Sequence, residues 1–299
     1  MKPCIPVQLD ALVHVAVRGD DALSFLQGQL SNDLRQLSPE RAQIGSYNSA
    51  KGRMLAVAHL LRCGDAIVLE LHRDIAAATS RRLRMFVLRS RVTIDEDDML
   101  ASFGLIGEQS AMRLAELSLP VPAAALDCAQ DTERGITVLR RFGEMPRYSV
   151  HGTTATLAPL LAAVGPLQDF AHWRRADIEA GVPTVYAATS DHFVPQTANL
   201  DRLGGISFDK GCYTGQEIVA RLHYLGQIKR RLFVARIDGQ PPAPGDEIRS
   251  ANDAAAGEIV DAVGEDTGAL VTAVLQLAQA DTTLQLTDGR ALHIVRRPD

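Results

Sequence analysis

Lys210-Gly-Cys-Tyr-Thr-Gly-Gln-Glu217 is an octapeptide in which two glycines surround a single cysteine, directly ahead of a helical pattern of apolar residues. Thr214 and Glu217 have the spacing of a capping box, in which a hydroxyl and a carboxylate each satisfy a free backbone N–H at the start of a helix. The apolar residues that follow recur at helical spacing. The segment therefore predicts a glycine-containing turn and a helix that begins near Gly215.

The cysteine of this turn is the first candidate functional residue. Cys212 is expected just before the positive end of the helix dipole, with Lys210 close by, and both effects favour the thiolate over the thiol. We therefore predict a functional thiol at Cys212, assisted by Lys210. The alternative is a buried, inert cysteine in a tight turn, which is a common environment for a free cysteine.

The composition of the whole chain is that of a globular protein in a reducing compartment. The 299 residues are 46% hydrophobic and 22% charged, and the net charge of −5 argues against extensive coating by nucleic acid. The four cysteines form no C-x-x-C pair and the eight histidines show no metal-binding spacing, so we predict neither disulfides nor a metal site. Without a signal sequence or a membrane-spanning apolar run, the protein is expected to be cytoplasmic, with no membrane partner.

Hydrophobic periodicity divides the chain into regions of different character. Over residues 12–94, alternating and helical segments predict an α+β sheet with helices on one face, including a helix over residues 21–31. The middle of the chain shows no clean boundary, which predicts interleaved subdomains. From near Arg230, short apolar segments separated by turns predict a small β-barrel. These segments are Leu232–Ile237, Glu247–Arg249, Gly257–Val263, Ala269–Leu275, Leu284–Leu286 and Ala291–Val295.

Further short segments accompany the cysteine octapeptide in a fixed order along the chain. They are Phe25-Leu-Gln-Gly-Gln29 with Asn32-Asp33, Ala50-Lys-Gly52, Ile178-Glu-Ala-Gly-Val-Pro183, Phe193-Val-Pro-Gln196 with Asn199-Leu200, Gly204-Gly-Ile-Ser-Phe208, Val219-Ala-Arg221 and Lys229-Arg230. Together with the octapeptide they resemble the YgfZ family of folate-binding proteins, which are relatives of the glycine-cleavage T protein, an aminomethyltransferase. The octapeptide is the most specific of these segments, whereas the barrel is generic.

The resemblance implies a fold and a domain organisation. The T-protein arrangement consists of intertwined α+β subdomains around a central opening, followed by a small C-terminal β-barrel. We accordingly expect a folate-binding α+β region over residues 1–229 and a barrel over residues 230–299.

The resemblance also implies a function. YgfZ-family members are thought to bind tetrahydrofolate and to support the maturation or repair of iron–sulfur enzymes, including enzymes that modify tRNA. We therefore expect tetrahydrofolate or a one-carbon derivative as cofactor. The expected partners are iron–sulfur enzymes or cluster carriers, with tRNA-modifying enzymes among them, and direct contact with tRNA is left open. Whether the chain is an autonomous enzyme is left open as well.

Candidate folate-binding residues follow from the matching positions. The T protein uses the glutamate of a similar Leu-Glu-Ala-Gly segment to bind the pterin, which points to Glu179, since a carboxylate can accept hydrogen bonds from the amino and ring N–H groups of a pterin. From the residues alone, a solvated carboxylate at a helix end is the favoured interpretation of Glu179, because charged side chains are usually exposed, and the resemblance reverses that preference. Positive side chains are expected to bind the glutamyl tail of a folate. The candidates are Arg230, Lys51 and Arg221.

One departure from the T protein bears on catalysis. The transferase carries an acidic pair at the place where this chain has the apolar residues Leu55 and Ala56. Because aminomethyl transfer needs an acidic group near the folate, we predict folate binding without transferase activity. The alternative of a folate-dependent aminomethyltransferase-like enzyme is disfavoured by these two residues.

A second alternative is a non-catalytic scaffold that binds tRNA or a partner enzyme. It depends on a basic run that precedes the acidic string Asp95-Glu-Asp-Asp98. Aromatic residues that stack on bases are sparse in this stretch, which favours an ion-paired surface over a nucleic-acid interface. The basic residues are Arg81, Arg82, Arg84, Arg89 and Arg91.

Overall fold

The computed structural model describes residues 4–298 of the protein. Its strands, in chain order, are β1 Ile5–Gln8, β2 Leu12–Arg18, β3 Gln43–Asn48, β4 Met54–Cys63, β5 Ala66–His72, β6 Thr93–Glu96, β7 Leu100–Ile106, β8 Cys128–Asp131, β9 Ile136–Arg140, β10 Arg147–Thr153, β11 Arg230–Asp238, β12 Glu247–Ser250, β13 Ala255–Glu265, β14 Gly268–Gln276, β15 Leu284–Leu286 and β16 Ala291–Arg296. Its helices are α1 Ala22–Gln27, α2 Arg73–Arg84, α3 Ser110–Glu116, α4 Thr154–Val164, α5 Ala171–Ala180 and α6 Gln216–Tyr224. Within residues 4–298, none of these helices has both the length and the apolar character that crossing a membrane requires.

Two five-stranded sheets occupy the first half of the chain, and they are intertwined. The first sheet has the strand order β3-β4-β5-β2-β6, and the second has the order β1-β7-β10-β9-β8. Strand β1 precedes β2 in the chain but pairs with β7, so the chain contributes to the second sheet before it builds the first. The predicted intertwined α+β arrangement is therefore confirmed.

The last part of the chain closes into a six-stranded barrel with the strand order β11-β14-β13-β12-β15-β16. Every segment that the sequence pattern assigned to the barrel is a strand of it, and β11 begins at Arg230. Alternate residues of β11 point inward, and Phe233, Ala235 and Ile237 are buried in the barrel core. The predicted C-terminal barrel is therefore confirmed.

Helix α1 is shorter than the helix predicted over residues 21–31. It ends at Gln27, and the carbonyl groups of Gln27, Leu30 and Asn32 accept hydrogen bonds from the Lys210 ammonium. The predicted end was wrong because the Ser31 N–H, which would bond to the Gln27 carbonyl in a longer helix, donates to the Ser46 carbonyl, and Lys210 satisfies the Gln27 carbonyl instead.

Three strands of the second sheet were not predicted from the sequence. Strand β10 lies at the centre of that sheet, and its residues 147–152 are all buried. Its residues do alternate, with Tyr148 and Val150 in the apolar core and Arg147, Ser149 and His151 among the buried polar residues, so the strand has a periodic signal but no exposed face. Strands β1 and β8 have four residues each, which is too short for a reliable periodic pattern.

Candidate functional site

Helix α6 begins one residue later than a capping box at Thr214 requires. Gly215 is the N-cap residue, with a left-handed backbone (φ +80°) and no capping side-chain hydrogen bond, so the predicted capping box is wrong. A Cβ at Gly215 would lie 2.4 Å from the Ser49 carbonyl oxygen and 2.8 Å from the Cα of Gly52. The turn between β3 and β4 therefore packs directly against the start of α6, and only glycine allows this close approach.

Cys212 lies on the loop ahead of α6 and is exposed to solvent, so the alternative of a buried cysteine at this position is wrong. The other cysteines differ from it, since Cys4 and Cys63 are half-buried and Cys128 is buried. Burial raises the pKa of the Cys63 thiol to about 11 and that of the Cys128 thiol to about 12, and it also raises the pKa of Cys4. Because a thiol must be accessible to a partner in order to react, the exposed Cys212 is the best placed of the four cysteines.

Lys210 anchors the cysteine loop to the end of α1. Its ammonium donates hydrogen bonds to the carbonyl oxygens of Gln27 at 2.8 Å, Leu30 at 2.7 Å and Asn32 at 2.6 Å. It also lies 5.0 Å from the centre of the Tyr213 ring. Burial lowers the pKa of Lys210 to about 8, which leaves the amine protonated at neutral pH. Since an ammonium has three N–H donors and carbonyls accept all of them, Lys210 fixes the loop and has no donor left for the Cys212 thiol.

Replacing Lys210 is expected to destabilise the folded protein. We expect Lys210→Met to lower the free energy of unfolding by about 2–4 kcal/mol, because the carbonyl groups beside α1 lose a charged donor. Urea denaturation measures the loss, and limited proteolysis reports cleavage within residues 206–216. Lys229→Met is the matched control, since Lys229 is exposed. Equal free energies of unfolding for the two variants would contradict the anchoring role.

The basic residues predicted to bind a folate tail are all exposed. Lys51 lies in the β3–β4 turn that packs on α6, Arg221 lies on α6 itself, and Arg230 is the first residue of β11. The neighbouring Arg231 is buried and forms two hydrogen bonds with the Asp201 carboxylate, at 2.7 and 3.0 Å. Lys51 and Arg221 therefore belong to the surface around α6, whereas Arg230 lies where the chain enters the barrel.

An aromatic surface accompanies the cysteine loop. The ring of Phe208 stacks on His223 with 3.7 Å between centroids and 12° between planes, and Tyr224 meets His223 edge-on. Tyr224 and Leu225 are 63% and 85% exposed. Exposed apolar groups gathered in one place commonly mark contact surfaces for other proteins. The sequence signal for this surface was limited to a His-Tyr pair at the end of a predicted helix.

Glu179 lies on the wall of an open groove of about 600 Å³, between α5, the turn before β10 and the barrel. Its carboxylate is half exposed and accepts a hydrogen bond from Arg175 at 2.9 Å. Arg236 and Arg296 line the same groove, together with apolar side chains. Arg236 is paired with Glu265, whereas the guanidinium of Arg296 forms no ion pair within residues 4–298.

The structure thus separates the predicted site residues into different places. Glu179 is on the groove wall, whereas the surface around α6 holds the cysteine loop. Within the described part of the chain, the groove lining includes none of the other predicted site residues, which are Lys51, Lys210, Cys212, Arg221 and Arg230. Arg296 is a groove residue that the sequence did not suggest, because it lies in the last strand of a generic barrel.

A second, smaller cavity lies at the centre of the molecule, where both sheets, α5 and the barrel meet. It measures about 40 Å³, which is the space of one or two water molecules. The charged side chains around it are neutralised within the protein. The ion pairs are Arg141–Glu70, Arg147–Asp177 and Arg174–Asp261.

One of these pairs belongs to a buried cluster of ionisable groups. Glu70 accepts a hydrogen bond from Arg141 at 2.7 Å. Burial by itself raises the pKa of Glu70, but the Arg141 guanidinium and the neighbouring histidines outweigh it and lower that pKa to about 2. Burial lowers the pKa of His14 and His59, and it lowers that of His151 to about 3. The cluster therefore holds an ionised carboxylate among neutral imidazoles at pH 7.

Of these two spaces, only the groove at Glu179 has the size of a small-molecule site. Sites for small molecules measure about 300–1,000 Å³, a range that includes the groove and excludes the cavity. The Glu179 carboxylate can accept hydrogen bonds from the N–H donors of a pterin, and the Arg296 guanidinium can bind a carboxylate of the glutamyl tail. Apolar side chains such as Met145 and Val295 also line the groove.

The arginine-rich stretch over residues 81–91 is ion-paired in part. Arg84 contacts Asp95 of the following acidic string at 3.1 Å, and Arg91 contacts Asp20 at 2.9 Å. The predicted pairing of this stretch with the acidic string is therefore confirmed for Arg84.

The architecture has a counterpart of known structure. The glycine cleavage system aminomethyltransferase T from Bartonella henselae superposes with a TM-score of 0.77, over 98% of this chain and 85% of that one, at 16% sequence identity. This likeness shows that the protein has the T-protein fold. No family model matches the sequence.

Sequence relatives extend over nearly the whole chain. The tRNA-modifying protein YgfZ of Escherichia fergusonii is 32% identical over 308 residues, covering 99% of this chain and 93% of the relative. The proteins of the same name from Sodalis glossinidius and Colwellia psychrerythraea are 34% identical over 252 residues and 30% identical over 243 residues. These cover 82% and 81% of this chain, and 76% and 74% of the relatives. The chain therefore belongs to the YgfZ family, whose members are named tRNA-modifying proteins.

Proposed function

We propose that this YgfZ-family protein is a folate-binding accessory factor that supports the maturation or repair of iron–sulfur enzymes, including enzymes that modify tRNA. The observation that carries the proposal is the exposed thiol of Cys212, on a loop that Lys210 anchors. The name of the relatives supports a link to tRNA modification, and the T-protein fold supports a folate site.

The Cys212 thiol has two chemical options in this role. As a thiolate it supplies one sulfur ligand to an iron–sulfur cluster in transit, and the remaining ligands come from the partner, because a cluster takes four. Alternatively, its sulfur attacks one sulfur of a partner disulfide, forms a mixed disulfide and releases the other partner sulfur as a thiolate. In both cases the exposed side chains of Tyr224 and Leu225, which follow the cysteine loop on α6 and its end, offer a place for the partner to dock.

The groove at Glu179 is the proposed folate site. Glu179 binds the N–H donors of the pterin, and Arg296 binds a carboxylate of the glutamyl tail. A bound tetrahydrofolate supplies a reduced pterin that can carry a one-carbon unit. The apolar residues Leu55 and Ala56, at the position of the acidic pair of the transferase, support a binding role over aminomethyl transfer.

Anaerobic titration with tetrahydrofolate tests the folate site. Wild-type protein is expected to bind saturably, and Glu179→Ala to bind about 10-fold to 100-fold more weakly, as expected for losing hydrogen bonds to a charged group. Calorimetry measures the affinity, and the fluorescence of Trp173 gives a second readout. Glu116→Ala is the matched control, because Glu116 is also a helical glutamate in an ion pair with an arginine.

The outcomes of the titration distinguish folate binding itself from its location at Glu179. Absence of saturable binding to the wild type would overturn the folate function. Saturable binding that Glu179→Ala leaves unchanged would place the site elsewhere. Neither outcome bears on Cys212, which lies outside the groove.

A further inference from the structure

The two sheets bring three potential metal ligands together in the interior. His14 on β2 and Glu70 on β5 are cross-strand neighbours in the first sheet, and His151 on β10 approaches them from the second sheet. All three are nearly inaccessible to solvent, with exposures of 4%, 3% and 1%. Two imidazoles and a carboxylate are a common ligand set for divalent transition metals.

The distances suit a single ion with little adjustment. His14 Nε2 lies 3.2 Å from His151 Nδ1 and 3.9 Å from Glu70 Oε2, and the latter lies 3.8 Å from His151 Nε2. One ligand atom from each residue can be chosen so that all three lie within 4.8 Å of one another. Ligands at about 2.1 Å from a tetrahedral ion stand roughly 3.4 Å apart. With His151 Nδ1 as the ligand atom, the two distances from His14 Nε2 are within about 0.5 Å of this spacing. The third pair of ligand atoms, no more than 4.8 Å apart, closes by rotation of the Glu70 and His151 side chains.

An unsatisfied carboxylate oxygen provides a second, independent indication. Glu70 Oε1 accepts a hydrogen bond from Arg141, but the fully buried Oε2 has no hydrogen-bond partner within residues 4–298. A buried acceptor without a hydrogen bond destabilises the folded state, because it has lost its hydration. Such a group in a native protein therefore calls for an explanation. A cation held between Oε2 and the two imidazoles would satisfy it.

The surroundings of His151 resemble an outer ligand shell. Its Nε2 lies 2.8 Å from Ser149 Oγ. When Nε2 donates its proton to Ser149, the lone pair of Nδ1 faces His14 Nε2. Metal-binding histidines usually have their second nitrogen fixed by such a hydrogen bond. A surface groove of about 380 Å³ extends as far as His151.

We propose that His14, Glu70 and His151 bind one divalent transition-metal ion, of the class of Zn²⁺ or Fe²⁺, between the two sheets. The remaining coordination position is free for a water molecule, since the protein provides three ligands. Arg141 already neutralises Glu70 in the metal-free protein. We therefore expect weaker binding than in an all-cysteine structural zinc site. The site is separate from both Cys212 and the groove at Glu179.

Co²⁺ titration of chelator-treated protein tests the proposal. The experiment uses the Cys212→Ser variant, so that the exposed thiol does not bind the ion. We expect the d–d absorption of Co²⁺ to saturate at one ion per chain and to disappear on addition of Zn²⁺. His14→Leu and His151→Leu are each expected to weaken binding at least about tenfold. His59→Leu is the matched control, because His59 is buried in the same cluster but faces the other oxygen of Glu70.

If a variant of His14 or His151 fails to fold, the proposal can still be tested on protein in which His14, Glu70 and His151 are all present. Added Zn²⁺ should raise the midpoint of thermal unfolding in a concentration-dependent way. X-ray absorption of the zinc-loaded protein should show two imidazole ligands and no sulfur. Absence of stoichiometric binding, equal binding by His14→Leu and His59→Leu, or a spectrum without imidazole would each overturn the proposal.

Discussion

Cys212→Ser is expected to abolish the function of the protein in cells while leaving its fold and its folate affinity unchanged. The substitution removes one sulfur atom from an exposed position, so little packing is lost. Serine can neither ligate a cluster as a thiolate nor form a disulfide. In a strain that lacks the native gene, we expect the variant to restore neither the activity of iron–sulfur enzymes nor the level of tRNA modifications that depend on them.

The control for this prediction is Cys4→Ser, which changes a half-buried thiol whose pKa is raised by burial. It should restore the strain fully. Circular dichroism and urea denaturation of both purified variants would establish that they are folded. Full restoration by Cys212→Ser would exclude a thiol function and leave folate binding, with its own test at Glu179, as the remaining part of the proposal.

Arg141→Met is expected to lower the free energy of unfolding by about 3–5 kcal/mol, because it leaves the Glu70 carboxylate buried without a counter-charge. The guanidinium of Arg141 is 2.7 Å from Glu70 and also contacts His59 at 3.2 Å. Methionine retains much of the side-chain volume, so the effect reports charge more than packing. Urea denaturation at neutral pH, with a chelator present, measures the change without interference from bound metal.

A surface arginine provides the comparison. Arg91 pairs with Asp20 at 2.9 Å, and both side chains are largely exposed. Arg91→Met should therefore cost less than about 1 kcal/mol. Adding Glu70→Leu to Arg141→Met should recover most of the lost stability, because the uncompensated charge is then removed. If the double variant were no more stable than Arg141→Met, the loss would have to come from packing and not from the buried charge.

Features with local signals were predictable from the sequence. The barrel strands could be located because each is a short apolar segment between turn residues, and the pattern needs no knowledge of distant partners. The start of α6 was predicted to within one residue from the spacing of its apolar positions. The cysteine octapeptide and the accompanying segments pointed to the correct family because their residue identities, and not their conformation, carry the resemblance.

Features that depend on distant contacts were not predictable in this way. The capping box failed because Gly215 packs against the Ser49–Gly52 turn, more than 160 residues earlier in the chain. Helix α1 ended early because Lys210 satisfies its last carbonyl. Strand β10 was not predicted although its residues alternate, and only the structure shows that its polar face, with Arg147, Ser149 and His151, is buried against distant charged groups.

The functional residues show the same difference between local sequence signals and contacts that form only in the folded protein. The residue types at Cys212, Lys210 and Glu179 can be read from the sequence. However, the order of residues does not specify that backbone carbonyls would accept all three N–H donors of Lys210. It also does not specify that Glu179 would face an open groove beside Arg296. The cluster of His14, Glu70 and His151 has no signature at all in the linear sequence. It arises because two intertwined sheets bring separate strands face to face, and a contact between distant strands leaves no periodic trace in either one.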